Sequence, residues 1–412
     1  ENCTKPLWDK RLQFSRNNSI FQQNVPLNLI CPRGLKPPFP KVICAKELQQ
    51  VISEKLVYEH AWWGKNKSAW TRIEGVIQCI AILKVGLGNF QISSTSIKLN
   101  WTCRFPGTCQ DMRAMCRLAE SSSRLCEAEE VKGEEILHGQ EGTFTCSSLQ
   151  PFTNYSVTIS LPSSTVLFSW LFRTEETVPD KPEQLWLDRS SGSLRWKALP
   201  SCKGEIIGYQ LNITVRSARD TGFLEMERLQ VNGSITEHQL PEHDPGNSYM
   251  VSIQGLTAAG AGAASLWEFQ TNSSDILHPL DFSCHSIHVI SPSQGTAVLP
   301  LRPITSEGVR EHQLVVATTH NGSVIKSTCL GQPQPSNNSQ QPFNVSQQPS
   351  AYVAAVLNLT GPINFMLGNG THGQGYHNTA LQPGQDYMAL LRLVRRSPQS
   401  EKFTCVCYSF SV

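Results

Sequence analysis

The sequence predicts an all-β protein assembled as a tandem array of small β-domains. Three observations carry that prediction. Apolar and polar residues alternate with a period of two over many short runs, the pattern of half-buried strands. Clusters of Gly, Pro, Asn and Ser break those runs at close intervals, as turns between strands do. The chain's 412 residues exceed one ordinary domain, and 39% hydrophobic content can fill several small cores.

The strands can be read in order. In "SIKLNWTC", Ile97, Leu99 and Trp101 alternate with Lys98 and Asn100. In "NYSVTI", Tyr155, Val157 and Ile159 alternate with Asn154, Ser156 and Thr158. In "GYQLNITV", Tyr209, Leu211, Ile213 and Val215 face away from Gln210, Asn212 and Thr214. In "YVAAVLNLT", Val353, Ala355, Leu357 and Leu359 face away from Asn358. Few windows carry helical periodicity; the best, "AKELQQVISEKL" (Ala45 to Leu56), is short.

Composition shifts predict four units: 1–82, rich in Cys and Pro; 83–177 and 178–274, each the size of one seven-strand sandwich; and 275–412. The boundary near "ETVPDKPEQL" (Glu176 to Leu185) has the two prolines of an inter-domain linker. The Gln/Pro/Ser/Asn-rich insert from Gln332 to Ser350 cannot build a core and reads as a glycosylated mobile loop.

Compartment follows from two counts. Fourteen cysteines, an even number spread over the length, suit an oxidising environment. The Asn-x-Ser/Thr acceptor occurs at Asn2, Asn17, Asn66, Asn100, Asn154, Asn212, Asn232, Asn272, Asn321, Asn337, Asn344, Asn358 and Asn369. Chance would give about 3 or 4 of these, so the excess predicts N-linked glycans on a secretory-route protein. In the four strands above, the acceptor asparagine falls on the polar face, where a glycan must project. The +2 formal charge gives no footprint for nucleic acid. No apolar run reaches bilayer length, so any membrane attachment is expected through an anchor outside these residues.

Particular motifs connect the units to known families. Trp101 with Leu149, Pro151, Thr153 and Tyr155 resembles the fibronectin type III pattern, in which a strand-B tryptophan fills the core and Leu-x-Pro-x-Thr-x-Tyr opens strand F. The second unit repeats it with Trp196, Tyr209, Leu240-Pro241, Tyr249 and "GLTAAGAGAASLWEFQT". The resemblance implies a tyrosine corner, the ring filling the sandwich end and the hydroxyl bonding back to the preceding turn. Cys103 at the end of strand B and Cys146 before strand E are expected to form a bridge between antiparallel neighbours. Cys109, Cys116, Cys126 and Cys202 remain, with three possible pairings. The first unit resembles a sushi module in the order of its cysteines and in Trp70 before the fourth. This implies Cys3–Cys44 and Cys31–Cys79. It departs from the family in a long insert before Trp70 and in Leu35 after Gly34. The last unit, with "GYHNTALQPGQDYMALLRL" and "EKFTCVCYSF", resembles the membrane-proximal region of receptor-type tyrosine phosphatases and of sushi domain-containing surface proteins. That implies a membrane-proximal β-sandwich. Cys284, Cys329, Cys405 and Cys407 are expected to form two bridges, with Cys329–Cys405 and Cys284–Cys407 the favoured pairing.

No Gly-x-Ser-x-Gly or His-Glu-x-x-His motif occurs, and "YEH", "PEHD" and "REHQ" are local pairs of the kind common on solvated loops. No enzyme activity, metal or cofactor is expected. "CVC" at 405–407 reads as disulfide rather than metal chemistry. Trp62 and Trp63 lie in the long insert of the first unit. Adjacent residues on a strand point to opposite faces, so one can fill a core while the other serves as a binding hot spot; packing of the pair against the next module is the plainer reading. The expectation is a single-pass cell-surface glycoprotein on the extracellular side, or a secreted one, that binds a protein partner in adhesion or as a receptor. Sequon-free stretches 101–153 and 155–211 are the favoured contact regions. A cytokine-type receptor is the alternative, though no Trp-Ser-x-Trp-Ser box occurs and "NWTC" reverses that family's Cys-x-Trp order. A secreted matrix protein is another.

Overall fold

The computed structural model describes residues 2–119, 126, 130–131, 133–217, 219–240, 246–270, 283–304, 311–318, 327–331, 334–335, 351–373 and 375–412. Acceptor asparagines Asn272, Asn321, Asn337 and Asn344, Pro241, and all but two residues of the 332–350 insert lie outside these. The chain divides into two compact units, Glu1–Thr177 and Val178–Val412.

In the first unit, a small N-terminal domain opens with β1 (Asn2–Thr4), which pairs with β3 (Ile20–Gln22). Its main sheet has the order β2-β4-β6-β7-β8: Gln13–Phe14, Leu27–Ile30, Lys41–Ile52, Lys55–Asn66 and Ala69–Arg72. β5 (Leu35–Lys36) and β9 (Ile80–Ala81) form a separate pair. The core is slight: Leu12, Phe14, Phe21, Leu27, Leu29 and Val42, with Trp8 and Trp62 against them. So few apolar residues need covalent help, and Cys3–Cys44 and Cys31–Cys79 supply it. The short window of helical periodicity at residues 45–56 forms strand. These residues extend β6, turn at Ser53 and Glu54 (φ 49° and 61°), and begin β7. Cross-strand pairing outweighed a local spacing that suited either element.

The rest of the first unit is a two-sheet sandwich. One sheet has the order β10-β11-β14: Leu83–Ile92, Ile97–Cys103 and Glu141–Cys146. The other has the order β13-β12-β15-β16, with β12 Met112–Leu118, β13 Gly133–Leu137, β15 Asn154–Ser160 and β16 Val166–Arg173. Strict alternation buries Ile97, Leu99 and Trp101 from one sheet against Tyr155, Val157 and Ile159 from the other. Trp101 lies over Gly142, its cross-strand partner. A Cβ there would meet the indole at 3.0 Å, so any larger residue would have to displace the ring by a few tenths of an ångström.

The expected Cys103–Cys146 bridge is not formed. The β11–β14 register sets Ile97 opposite Cys146, because Cys146 ends its strand rather than preceding it. Cys103 therefore stands six residues along the ladder, about 20 Å away at the usual strand rise. Cys103 closes a short loop with Cys109, while Cys116 of β12 crosses the core to Cys146 of β14. Cys126 and Cys202 are disulfide-bonded as well.

The second unit holds two sandwiches. In one, β17 (Leu185–Asp188), β18 (Ser193–Trp196) and β21 (Glu237–Gln239) form the smaller sheet. Facing it is the order β23-β22-β19-β20: Gly260–Gln270, Ser248–Thr257, Gly208–Arg216 and Phe223–Asn232. The other sandwich has β24 (His285–Ser286), β25 (Ala297–Leu301), β26 (Glu311–Ala317), β27 (Gln334–Pro335), β28 (Ala351–Asn358) and β29 (Ile363–Leu367). A small hairpin of β30 (His372–Gly373) and β31 (Tyr376–His377) precedes β32 (Asp386–Arg396) and β33 (Ser400–Ser411). Its sheets run β33-β32-β26-β28 and β25-β29, the strand order of the two preceding sandwiches. Cys329–Cys405 and Cys284–Cys407 anchor neighbouring segments to one face of β33.

These two sandwiches are not separate beads. β20 pairs antiparallel with β33 from Phe223↔Val406 to Leu229↔Ser400, so one sheet runs through both. Edge strands that would otherwise expose unpaired backbone groups satisfy one another.

The repeated Leu-x-Pro-x-x-x-Tyr is a device of the fold. The Tyr155 hydroxyl accepts from the Gln150 amide at 2.8 Å, and the Tyr387 hydroxyl accepts from the Gln382 amide at 2.8 Å. Both tyrosines are buried, and burial pushes the Tyr155 phenol above its ordinary range. Tyr155→Phe and Tyr387→Phe should each cost about 1–2 kcal/mol, because each strands a partly buried amide. Urea unfolding of the single and double variants would check this. The two losses should add, since the corners lie in different sandwiches.

Candidate partner-binding site

The hairpin of β6 and β7 outruns the sheet that holds it. β4 pairs with β6 only at Lys41 and Val42, and β8 pairs with β7 only from Trp63 to Asn66. Arg72 of β8 reaches one step further, gripping Glu47 at 3.0 Å. Beyond that ion pair, residues 48–58 form a two-stranded arm with no third strand among the described residues. From Glu47 to Ser53 the arm is about 20 Å long at the usual rise per residue.

The register decides which side chains share a face. Leu48 opposes Tyr58 and, after a bulge at Gln49, Val51 opposes Leu56. On β7 the even-numbered residues Leu56, Tyr58, His60 and Trp62 project from one side, so Leu56 and Tyr58, with their cross-strand partners Val51 and Leu48, continue the face that carries Trp62. At the base that face is covered: Trp62 packs on Trp8, Phe14 and Phe21 at centroid distances of 5.6, 5.7 and 5.9 Å. Further out it is bare. Leu48, Val51, Leu56 and Tyr58 keep 49–64% of their surface exposed, and Ile52 and Val57 add apolar surface on the reverse face. A free two-stranded ribbon is marginal in water, and adjacent exposed apolar side chains mark an interaction surface.

Both candidate tryptophans are at the base of the arm. Trp62 is a core residue of its own domain. Trp63, on the opposite face beside Ile43 and Arg72, is half-buried, and its buried Nε1–H finds no acceptor among the described residues. The exposed side chains Leu48, Val51, Leu56 and Tyr58 went unnoticed in the sequence. A signal for them exists: Val51-Ile52 and Leu56-Val57-Tyr58 flank the three polar residues Ser53-Glu54-Lys55, a spacing short enough for a hairpin.

Electrostatics shape the base and the arm differently. Asp9, next to Trp8, bonds the Arg11 side chain at 2.9 Å and receives the Cys79 amide at 3.2 Å. The Arg11 hydrogen bonds hold the Asp9 carboxyl down at about 2. This fixes the loop carrying Trp8 against the second disulfide. The arm itself mixes Lys46, Glu47, Glu54, Lys55 and Glu59.

Of the acceptor asparagines within the described residues, Asn2, Asn17, Asn66, Asn100, Asn232, Asn358 and Asn369 are exposed, while Asn154 and Asn212 are half-buried. Asn154 Oδ1 accepts from Arg173 Nε at 3.2 Å. Asn212 Oδ1 is buried without a partner among the described residues. None of these asparagines lies between residues 45 and 65. Among the described residues no helix is long and apolar enough to cross a membrane.

The crystal structure of the FN1–FN3 domains of chicken CNTN1 is similar at 15% identity, covering 75% of this chain and 91% of that one with a TM-score of 0.31. Residues 180–271, from the linker before β17 to the end of β23, match the fibronectin type III domain model, and the chain therefore carries a fibronectin type III domain.

Proposed function

We propose that this chain is the recognition portion of a single-pass cell-surface glycoprotein, and that the β6–β7 arm contacts a protein partner in adhesion or as a receptor. The observation that carries this reading is the arm itself: exposed Leu48, Val51, Leu56 and Tyr58 on a ribbon held rigid at its base by aromatic packing and two disulfides. Its mixed charges favour a protein cleft over a bilayer, since Glu54 and Lys55 at the tip would have to enter hydrocarbon first. The disulfides and the fibronectin type III domain fit an extracellular protein. In this reading the N-terminal domain is sushi-like, the last sandwich stands next to the membrane, and N-glycans screen the remaining surface. The chain performs no catalysis.

A glycan wedge tests the arm. Val51→Asn completes an Asn-x-Ser acceptor with Ile52 and Ser53. Multivalent chain is applied to a panel of cell lines, and binding is read by flow cytometry. Staining by the wild type should fall at least ~30-fold with Val51→Asn, the effect of losing one hot-spot cluster. Undiminished staining by the glycosylated variant would rule the arm out. Turnover of broad ester, peptide or glycoside substrates by the purified chain would refute the non-catalytic reading.

A further inference from the structure

We propose that the outer edge of β16 pairs with β16 of a second copy of this chain, giving a two-fold symmetric dimer. β16 ends its four-stranded sheet, with β15 as its strand partner on one side and no strand among the described residues on the other. Its sequence from Val166 to Phe172, Val-Leu-Phe-Ser-Trp-Leu-Phe, contains no charge, proline or glycine. Free edges are normally blunted by such residues, and this one is not. Trp170 and Leu171 remain 53% and 58% exposed.

The backbone directions locate the usable part. The Thr174 amide points at Thr153, on the β15 side. Alternation along a strand then turns the N–H and C=O groups of Arg173, Leu171 and Ser169 toward the free side. The Val166 end is less open, since a Cβ on Gly34 would lie 3.3 Å from the Val166 carbonyl oxygen. An antiparallel pair centred on Leu171 uses the open stretch alone. It sets Trp170 against Phe172, Ser169 against Arg173, and Leu171 against its own copy. No like charges meet, and exposed Leu171 faces its own copy while Trp170 stands beside Phe172, whose ring is buried in its own sandwich, so the strand is complementary to itself.

This chain already makes the same kind of joint. β33 stands beside the tyrosine-corner strand β32 as β16 stands beside β15, and its outer edge is joined antiparallel to β20. The stretch 155–211 has no glycan acceptor, and Asn154 rises from the sheet face rather than from its edge. A second copy is the occupant because self-complementarity closes the pair. A two-fold contact uses up the β16 edge of both copies, so this contact closes on itself.

One strand pair buries area at the low end for a specific interface, so the dimer should be reversible. Sedimentation velocity of the glycosylated chain over about 1–200 µM, a range that brackets weak specific association, tests it. The wild type should pass from one copy to two. Leu171→Lys and Leu171→Glu should each stay monomeric, and an equimolar mixture of the two should recover the dimer, because opposite charges then meet on the axis. Both variants change an exposed side chain, and an unchanged unfolding temperature checks that they fold. A wild type that stays monomeric throughout, a dimer indifferent to either substitution, or a mixture that fails to recover would each overturn the proposal.

Discussion

Replacing Cys116 and Cys146 together by alanine should lower the unfolding free energy of the first sandwich by about 3.6 kcal/mol. The bridge spans 30 residues of sequence, and the chain entropy released on opening a loop of that length sets the magnitude. Both sulfurs are buried in the core, where they tie β12 of one sheet to β14 of the other. Alanine also empties the space that the two buried sulfurs fill. Removing Cys103 and Cys109 instead should cost about 2.2 kcal/mol, because that bridge closes only 6 residues at the rim. Denaturant unfolding of the two double variants, followed by tryptophan fluorescence, would test the order. An equal loss would show that strand geometry, rather than loop length, governs these bridges.

Arg392→Met should destabilise the last sandwich by about 3 kcal/mol. The guanidinium is almost wholly buried. Nε donates to the Cys329 carbonyl at 2.8 Å, Nη2 to the Gly331 carbonyl at 2.7 Å, and Nη1 to Gln313 Oε1 at 2.9 Å. These two carbonyls belong to the single helical turn at residues 327–330 and the residue after it, where helix carbonyls lack internal partners. The charge also lies 5.0 Å from the centroid of the Phe403 ring. Burial draws the Arg392 pKa down to about 10, which leaves the group a cation at neutral pH. Methionine keeps most of the volume but strands both carbonyls. Lysine cannot reproduce the planar fork that reaches both carbonyls and the amide at once, so Arg392→Lys should rescue only part of the loss. Thermal unfolding of the three proteins would separate the charge from the fork.

The all-β architecture was legible because local alternation directly encodes two-faced strands. Ile97, Leu99 and Trp101 are buried while Lys98 and Asn100 are exposed, as their pattern requires. Tyr155 and Tyr387 could be paired by motif, because a tyrosine corner closes within five residues. What escaped depended on partners far away in sequence. The stretch 45–56 has apolar spacing compatible with a helix, and only pairing with residues 55–66 makes it a strand. Pairing Cys103 with Cys146 requires the second cysteine to precede its strand, whereas Cys146 ends β14 and the register Ile97↔Cys146 separates the two. Residues 51–58 carry the local signal of a hairpin, but that its face stays exposed follows from how far β4 and β8 extend, which the hairpin signal does not state. Nor does any local pattern announce that β20 meets a strand starting at Ser400.

The β20–β33 ladder has a mechanical consequence. Sandwiches strung on a peptide linker bend and swivel at each joint, so a pull or twist on one is dissipated before reaching the next. Here seven residue pairs, Phe223↔Val406 through Leu229↔Ser400, bridge the joint side by side. Opening the angle there means breaking backbone hydrogen bonds together rather than rotating about single bonds. Force entering along β33 therefore loads that ladder as a set of parallel rungs, and the two sandwiches turn as one lever.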